Sequence, residues 1–228
     1  MKKIIRFLFP ALFVAILASC SDKPKNDYYP EDMMVDIATY VSSSDNGSVF
    51  TLRKDGDSPL VTLTSNRVIN ENMFKPNTRV LIQYVPESGV AYKSGPMELY
   101  SVQAVNTTLK EGTEAEYPDW YTDAFSMGGL WRTGNYINLW ANIDVEQRPE
   151  TFELVLDTKT IDDECPEYHV IFKTDGVDGR RHVIYGSYDI SKVWNLQTCT
   201  AVRVYYPDSH GMTSLVFYKN NMPIVPTE

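Results

Sequence analysis

A chain of 228 residues with 30 acidic and 21 basic side chains carries a net charge of −9 at pH 7, and 43% of its residues are hydrophobic. The negative charge disfavours binding to a nucleic acid, because the phosphate backbone would be repelled. The length is sufficient for one large or two small domains, and we predict two.

The N-terminus predicts export from the cytoplasm. Lys2, Lys3 and Arg6 form a positively charged region, and the apolar residues 7–17 that follow are too few for a transmembrane helix. Residues 1–19 are therefore predicted to be a signal peptide. Its removal takes away these three basic residues, so the mature chain has 18 basic against 30 acidic residues and a net charge of −12. Such a charge suits a basic partner.

Residues 17–20, Leu-Ala-Ser-Cys, resemble the lipobox of bacterial lipoproteins. In that motif the cysteine becomes the first residue of the mature protein and carries acyl chains such as palmitate, several of which anchor a protein stably. Cys20 is therefore the predicted lipidation site and the link to a membrane, which we expect to be the outer membrane. Residues 20–32 are polar and contain prolines, which predicts a flexible tether.

Two further cysteines, Cys165 and Cys199, remain in a compartment that we predict to be oxidising. We predict that they pair as a disulfide, the alternative being two buried free thiols. In the chain-entropy model, closing a loop of this length stabilises a fold by about 3 to 4 kcal/mol.

The mature chain alternates apolar and polar residues in short runs separated by turn residues, which predicts an all-β protein. In residues 33–110 an irregular connector separates the third run from the fourth. The five predicted strands are residues 35–41, 50–52, 60–64, 79–85 and 97–107. Five strands with a connector at that position predict an OB-like barrel.

Residues 115–228 follow a polar link at 109–116 and contain seven more runs of the same kind. These predicted strands are residues 130–132, 136–144, 151–157, 169–174, 182–188, 200–206 and 213–218. Their spacing predicts an antiparallel β-sandwich, with a short helical turn near residues 190–194.

Four segments together carry a family resemblance. They are Phe-Thr-Leu-Arg-Lys-Asp-Gly at 50–56, Thr-Arg-Val-Leu-Ile-Gln-Tyr at 78–84, Leu-Trp-Arg-Thr-Gly-Asn-Tyr-Ile-Asn at 130–138 and Tyr-Asp-Ile-Ser at 188–191. In this order they resemble the NigD-like lipoproteins of Gram-negative anaerobes. The resemblance implies an OB domain followed by a β-sandwich domain on an anchored protein. It also implies a link to bacteriocin immunity, the role proposed for the member that gave the family its name.

The sequence lacks the residue patterns typical of catalysis and metal binding. The histidines are scattered, and there is no His-x-x-x-His or Cys-x-x-Cys pair, no nucleophile elbow and no phosphate-binding loop. We predict that the protein is not an enzyme and uses neither a cofactor nor a metal. A carboxylate pair for glycoside hydrolysis stays open, since its separation depends on the fold.

The predicted strand at 136–144 offers the main candidate surface. Its polar and aromatic residues alternate with apolar ones and are expected to point away from the sandwich core. With two tryptophans expected nearby, this candidate face consists of Trp120, Trp131, Tyr136, Asn138, Trp140 and Asn142. It either binds a sugar or a protein, or packs against the barrel and fixes the angle between the domains.

Three functions are open at this point. The chain is an interaction module that binds a protein, a glycan-binding lipoprotein, or an accessory subunit of an envelope complex. We favour the first: a membrane-anchored, non-enzymatic module that binds a macromolecule, as a bacteriocin-immunity protein would.

Overall fold

The first of two strand groups is a closed barrel. The structure is a computed structural model that describes residues 30–70, 72–145, 151–174, 180–208 and 211–219, so the predicted signal peptide, Cys20 and most of the tether lie outside it. The barrel strands are β1 (Met34–Ser44), β2 (Gly47–Leu52), β3 (Val61–Ser65), β4 (Arg79–Pro86) and β5 (Gly95–Ala104), in the order β1-β2-β3-β5-β4. The predicted all-β class and five-stranded barrel are confirmed.

Alternation of side chains explains why the barrel strands close around a core. In β3 every second residue is buried, and the inward positions of the barrel strands are mostly apolar, with Ser48 and Ser65 as buried polar residues. Burying one such side chain contributes about 1.5 to 3 kcal/mol. The largest members of this core are Tyr40, Phe50, Leu63, Ile82 and Tyr84.

The second strand group is a β-sandwich of two sheets. Its strands are β6 (Leu109–Gly112), β7 (Ser126–Thr133), β8 (Tyr136–Val145), β9 (Thr151–Asp157), β10 (Glu167–Lys173), β11 (Arg180–Asp189), β12 (Ala201–Asp208) and β13 (Gly211–Tyr218). One sheet has the order β13-β12-β10-β9-β6 and the other β11-β8-β7. The predicted helical turn is α1 (Ser191–Trp194). Across the described residues, no helix reaches the length and apolarity that crossing a bilayer requires.

The sandwich core lies between the inner faces of these two sheets. The apolar residues of β8 predicted to point inward, Ile137, Leu139, Ala141 and Ile143, are all buried there. They share this cluster with the inward residues of the larger sheet, among them Phe152, Leu154, Tyr168, Val170, Phe172, Val202 and Val204.

The larger sheet is mixed, whereas the sequence predicted a purely antiparallel sandwich. β10 pairs in parallel with β12, and β6 pairs in parallel with β9. Parallel neighbours need a long crossover connection. Here each crossover runs by way of the three-stranded sheet. Along the chain, β7 and β8 come between β6 and β9, and β11 comes between β10 and β12.

Strand β6 itself lies in the segment predicted as a polar link. Leu109 packs against the sandwich core, but Lys110 and Glu111 are exposed and the strand ends at Gly112. Four residues with one inward apolar side chain are too few for an alternation to be recognised.

Candidate functional site

The outward residues of β8 belong to a face that spans the three-stranded sheet. In the register of this sheet, Trp131 lies opposite Asn138, and Trp140 lies between Gly129 and Tyr185. Residues directly opposite each other point to the same side of a sheet, so β7 and β11 extend the face begun by β8. The barrel covers one end of this face.

Arg79 of β4 makes the contact at the covered end. Its Nε donates a hydrogen bond to Ser187 Oγ (2.9 Å) and its Nη2 donates one to Asn138 Oδ1 (3.2 Å). The guanidinium carbon lies 4.3 Å from the centroid of the Tyr136 ring. Asn138 is fully buried and donates from Nδ2 to Thr133 Oγ1 (2.8 Å). Tyr136 and Asn138 therefore lie in the contact between barrel and sandwich, one of the two alternatives for this face.

The charge of Arg79 is buried without a carboxylate at ion-pair distance in the described part of the chain. Its other acceptors are neutral, Thr39 Oγ1 at 2.8 Å and the carbonyl oxygen of Ile37 at 3.5 Å. Burial lowers the pKa of Arg79 to about 10, and the nearby Tyr136 and Asp189 partly oppose that shift. The guanidinium remains charged at neutral pH and is held by dipoles and an aromatic ring.

A second contact joins the barrel loop after β2 to the turn between β7 and β8. Arg132 donates from Nη1 to Asp57 Oδ1 (2.9 Å) and from Nη2 to Asp57 Oδ2 (2.6 Å), a bidentate pair. These hydrogen bonds hold the pKa of Asp57 below its usual range. The backbone pairs as well, because Gly56 N donates to Arg132 O (2.7 Å) and Gly134 N donates to Gly56 O (2.7 Å).

A third contact is made by the connection from β5 to β6. Asn106 N donates to Tyr185 O and Ser187 N donates to Asn106 O, both at 2.8 Å, which pairs this connection with β11. The side chain of Asn106 donates from Nδ2 to Phe152 O (2.8 Å) in the larger sheet. Asn106 thus connects both sheets of the sandwich at the point where the chain leaves the barrel.

The open end of the face is aromatic. Trp131, Trp140 and Tyr185 are half-buried there, beside Asn142 and Val183; we name these five residues the tryptophan face. The Trp140 ring lies against the backbone of β7, since a Cβ placed on Gly128 would lie 2.2 Å from its ring atoms. One side of the indole is thereby covered.

A cavity of about 650 Å³ adjoins the tryptophan face at the edge strand β7. Asn142 belongs to the tryptophan face and also lines the cavity. The rest of the cavity wall is formed by residues of β7, by Tyr206 and Leu215 of the larger sheet, and by the ion pair of Asp144 with Arg181 (3.5 Å). Among the described strands, β7 pairs with β8 alone, and the first part of its other edge, Ser126 to Leu130, borders this cavity.

Trp120 lies apart from the other five residues predicted for this face, and its inclusion there was wrong. It stacks on His169, with ring centroids 3.9 Å apart, and belongs to a row formed by Tyr117, Trp120, His169 and Tyr205. This row covers the outer face of the five-stranded sheet. The segment after Trp120 is attached to β10, because Asp123 N donates to Phe172 O (2.9 Å).

His169 is the buried centre of this row. Neither ring nitrogen has a hydrogen-bond partner within the described structure, and burial lowers the pKa of His169 to about 4, against a smaller opposite effect of Asp157. The described residues contain no group of three or more His, Cys, Asp or Glu side chains that could hold a metal ion. His169 is a neutral packing residue in this fold.

Cys165 and Cys199 are free thiols in the structure, contrary to the predicted disulfide. Cys199 is buried, and its Sγ donates a hydrogen bond to Ala201 O (3.2 Å). Glu164 O accepts hydrogen bonds from Thr200 N (2.7 Å) and Ala201 N (3.1 Å), so the backbone brings the two segments together without a covalent bond. Burial raises the pKa of both thiols.

Sequence reasoning missed Arg79, Arg132 and the Gly128-Gly129 pair. A signal existed for Arg79, which is the one cation in the predicted strand at 79–85 and stands directly before three apolar residues, Val80 to Ile82. The paired glycines also stand directly before a predicted strand, where close approach of a large side chain is a usual reason for glycine.

Solved structures with a similar fold include several from Bacteroides species. A DUF1344 protein of unknown function from Bacteroides vulgatus is 14% identical, with a TM-score of 0.63 over 85% of this chain and 94% of that chain. A candidate lipoprotein from Bacteroides fragilis is 12% identical, with a TM-score of 0.56 over 82% of this chain and 98% of that one.

A NigD-like immunity protein from Bacteroides caccae is 18% identical, with a TM-score of 0.54 over 83% of this chain and 93% of that chain. No protein-family model matches the chain, and no curated protein matches it. At the level of the fold, the resemblance to the NigD-like proteins expected from the sequence is confirmed.

Proposed function

We propose that this protein is a lipid-anchored, non-enzymatic module of the cell envelope that binds a protein partner. The tryptophan face carries this proposal, because it presents aromatic side chains from three strands on a sheet that also contacts the barrel. Tyr and Trp are enriched at protein interfaces, where one large side chain fills much contact area. The cavity beside β7 adds a concave border, and the net charge of −12 of the predicted mature chain favours a basic partner.

Site-specific photocrosslinking on intact cells tests this surface. Val183 in the tryptophan face is 50% exposed and Val90 on the barrel is 52% exposed, which makes them a matched pair of positions for a photoreactive residue. We expect a discrete crosslinked species from position 183 only, and its loss when Trp140→Ala is added. Equal products from both positions would count against the tryptophan face.

The anchor at Cys20 is part of the proposal and has its own test. Wild-type chain should fractionate with membranes and Cys20→Ala should be released. Protease added to intact cells then separates an outward from a periplasmic orientation. Digestion of the wild-type chain would support contact with external partners, and protection would favour an accessory role inside the envelope.

Bacteriocin immunity is the specific role we propose within this class, supported by the name of the Bacteroides caccae structure. Sensitive cells that express the chain should survive a bacteriocin that kills cells expressing Cys20→Ala. If bacteriocins of related strains kill both kinds of cell equally, the immunity role is excluded. The broader proposal that the chain binds a protein partner is not affected by that result.

Glycan binding is a second candidate, favoured by the position of Trp140. An indole with one side against the Gly128-Gly129 backbone can stack its other side on a sugar ring. Millimolar oligosaccharides should then shift the indole NMR signal of Trp140 and leave that of Trp120, in its stack with His169, unchanged. Unchanged signals from all tryptophans would exclude this candidate.

A further inference from the structure

A small polar cavity of about 270 Å³ lies where the barrel meets the sandwich, next to the Arg79 contacts. Besides two leucines, hydroxyl and amide side chains dominate its wall: Thr39, Thr51, Thr133, Asn135 and Tyr136. Pockets for drug-sized ligands begin at about 300 Å³, so this one is suited to a single small molecule.

Arg79 lines this cavity, and its charged guanidinium has one N–H donor without an acceptor among the described residues. A guanidinium has five N–H donors, and its hydrogen bonds go to Ser187, Thr39, Asn138 and the carbonyl of Ile37. Since Nη1 makes one of these bonds, one of its two protons has no acceptor among the described residues. A buried cation without an anion is costly, and an anion in the adjoining cavity would stabilise it.

Arg53 supplies a second cation at the same wall. Its side chain lies beside the turn at Gly134, where an added Cβ would be 3.5 Å from Arg53 Nε, and its Nη1 donates to Ser58 O. The carboxylate that lines the cavity, Asp57, is already engaged by both terminal nitrogens of Arg132. Arg53, Arg79 and Arg132 thus face two carboxylates at the junction, Asp57 and the nearby Asp189, which leaves one positive charge in excess. The predicted mature chain as a whole has a net charge of −12.

We propose that this cavity binds a small hydroxylated carboxylate, namely an acidic monosaccharide of the uronic acid type. The carboxylate is placed by Arg53 and by the remaining Nη1 proton of Arg79, because guanidinium donors match the two oxygens of a carboxylate. The threonine hydroxyls and the Asn135 amide provide partners for the sugar hydroxyls. This site is separate from the tryptophan face and does not depend on the partner proposed for it.

Calorimetric titration of the full chain with sodium glucuronate tests the proposal. We expect saturable binding of glucuronate, no binding of glucose, and affinity at least tenfold lower in Arg53→Gln. Arg67→Gln is the matched control, because Arg67 donates to Tyr100 O (2.7 Å) within the barrel and does not line the cavity. Arg53 is used because loss of the buried Arg79 could also unfold the chain.

Three results would overturn the proposal. They are no saturable heat with glucuronate, unchanged affinity in Arg53→Gln, and inorganic phosphate or glucose binding as tightly as glucuronate. The last of these would show that the cavity does not select a sugar acid.

Discussion

At the scale of single residues, the open side of the sheet depends on two glycines. Trp140 covers Gly128 and Gly129, and a Cβ at Gly128 would meet the ring at 2.2 Å, far inside van der Waals contact. Gly128→Ala should displace the indole and lower the free energy of unfolding by about 1 to 3 kcal/mol. Chemical denaturation followed by tryptophan fluorescence measures this change.

A double-mutant cycle attributes that loss to the indole. In a Trp140→Ala background the clash is absent, so Gly128→Ala should then cost less than about 1 kcal/mol. An undiminished cost would mean that the backbone of β7, rather than Trp140, requires glycine.

His169 makes stability depend on pH. Its pKa in the folded chain is about 4, below the ordinary value of 6.5, because burial disfavours the charged ring. The unfolded chain then binds more protons between pH 6.5 and 4, so stability is retained above pH 6.5 and falls as pH decreases through this window. The loss is at most about 3 kcal/mol.

His169→Phe keeps a ring between Trp120 and Tyr205 but cannot be protonated. Denaturation midpoints of wild type and variant, measured from pH 8 to pH 4, should therefore diverge as the wild type loses stability. Parallel curves would show that His169 is not the titrating group.

At the scale of strands, the pattern of apolar and polar residues predicted the features that depend on residues within a single segment. All five barrel strands and seven of the eight sandwich strands were predicted from residues within one segment. Parallel pairing and β6 could not be predicted, because they depend on which distant strand lies alongside. The inward side of β8 was predictable for the same reason, whereas the covering of Tyr136 and Asn138 depends on Arg79, some 60 residues earlier.

The cysteine segments beside β10 and β12 illustrate the same limit. The sequence predicted a disulfide because two cysteines remain after lipidation of Cys20 and because the predicted compartment is oxidising. In the structure both thiols are free. Alkylation of the unreduced protein should therefore modify both, with half-buried Cys165 reacting before buried Cys199. Mass spectrometry of the time course, with Cys165→Ser to identify the faster phase, checks this; an unmodified pair that reacts only after reduction would restore the disulfide.

At the scale of the whole molecule, the barrel and the sandwich belong to one compact unit. Among the described residues they are joined by the Arg79 network, the Arg132–Asp57 pair and the strand-like pairing of Asn106. The polar cavity lies at this junction and the tryptophan face lies beside it on the three-stranded sheet, so their geometry depends on how firmly the junction is held. A rigid junction would preorganise both surfaces for binding.

Arg79→Met tests this rigidity directly. The change removes the donors to Ser187 Oγ and Thr39 Oγ1, and Asn138 Oδ1 keeps only its hydrogen bond from Ser187 Oγ (2.8 Å). The loss should lower stability by about 2 to 4 kcal/mol. In the wild type, the slowest amides of β2 and β9 should exchange with the same free energy of opening, because barrel and sandwich unfold together. In Arg79→Met the two values should separate, whereas Arg67→Met, which removes a bond within the barrel, should keep them together. Hydrogen exchange that differs between β2 and β9 already in the wild type would show that the junction does not couple them.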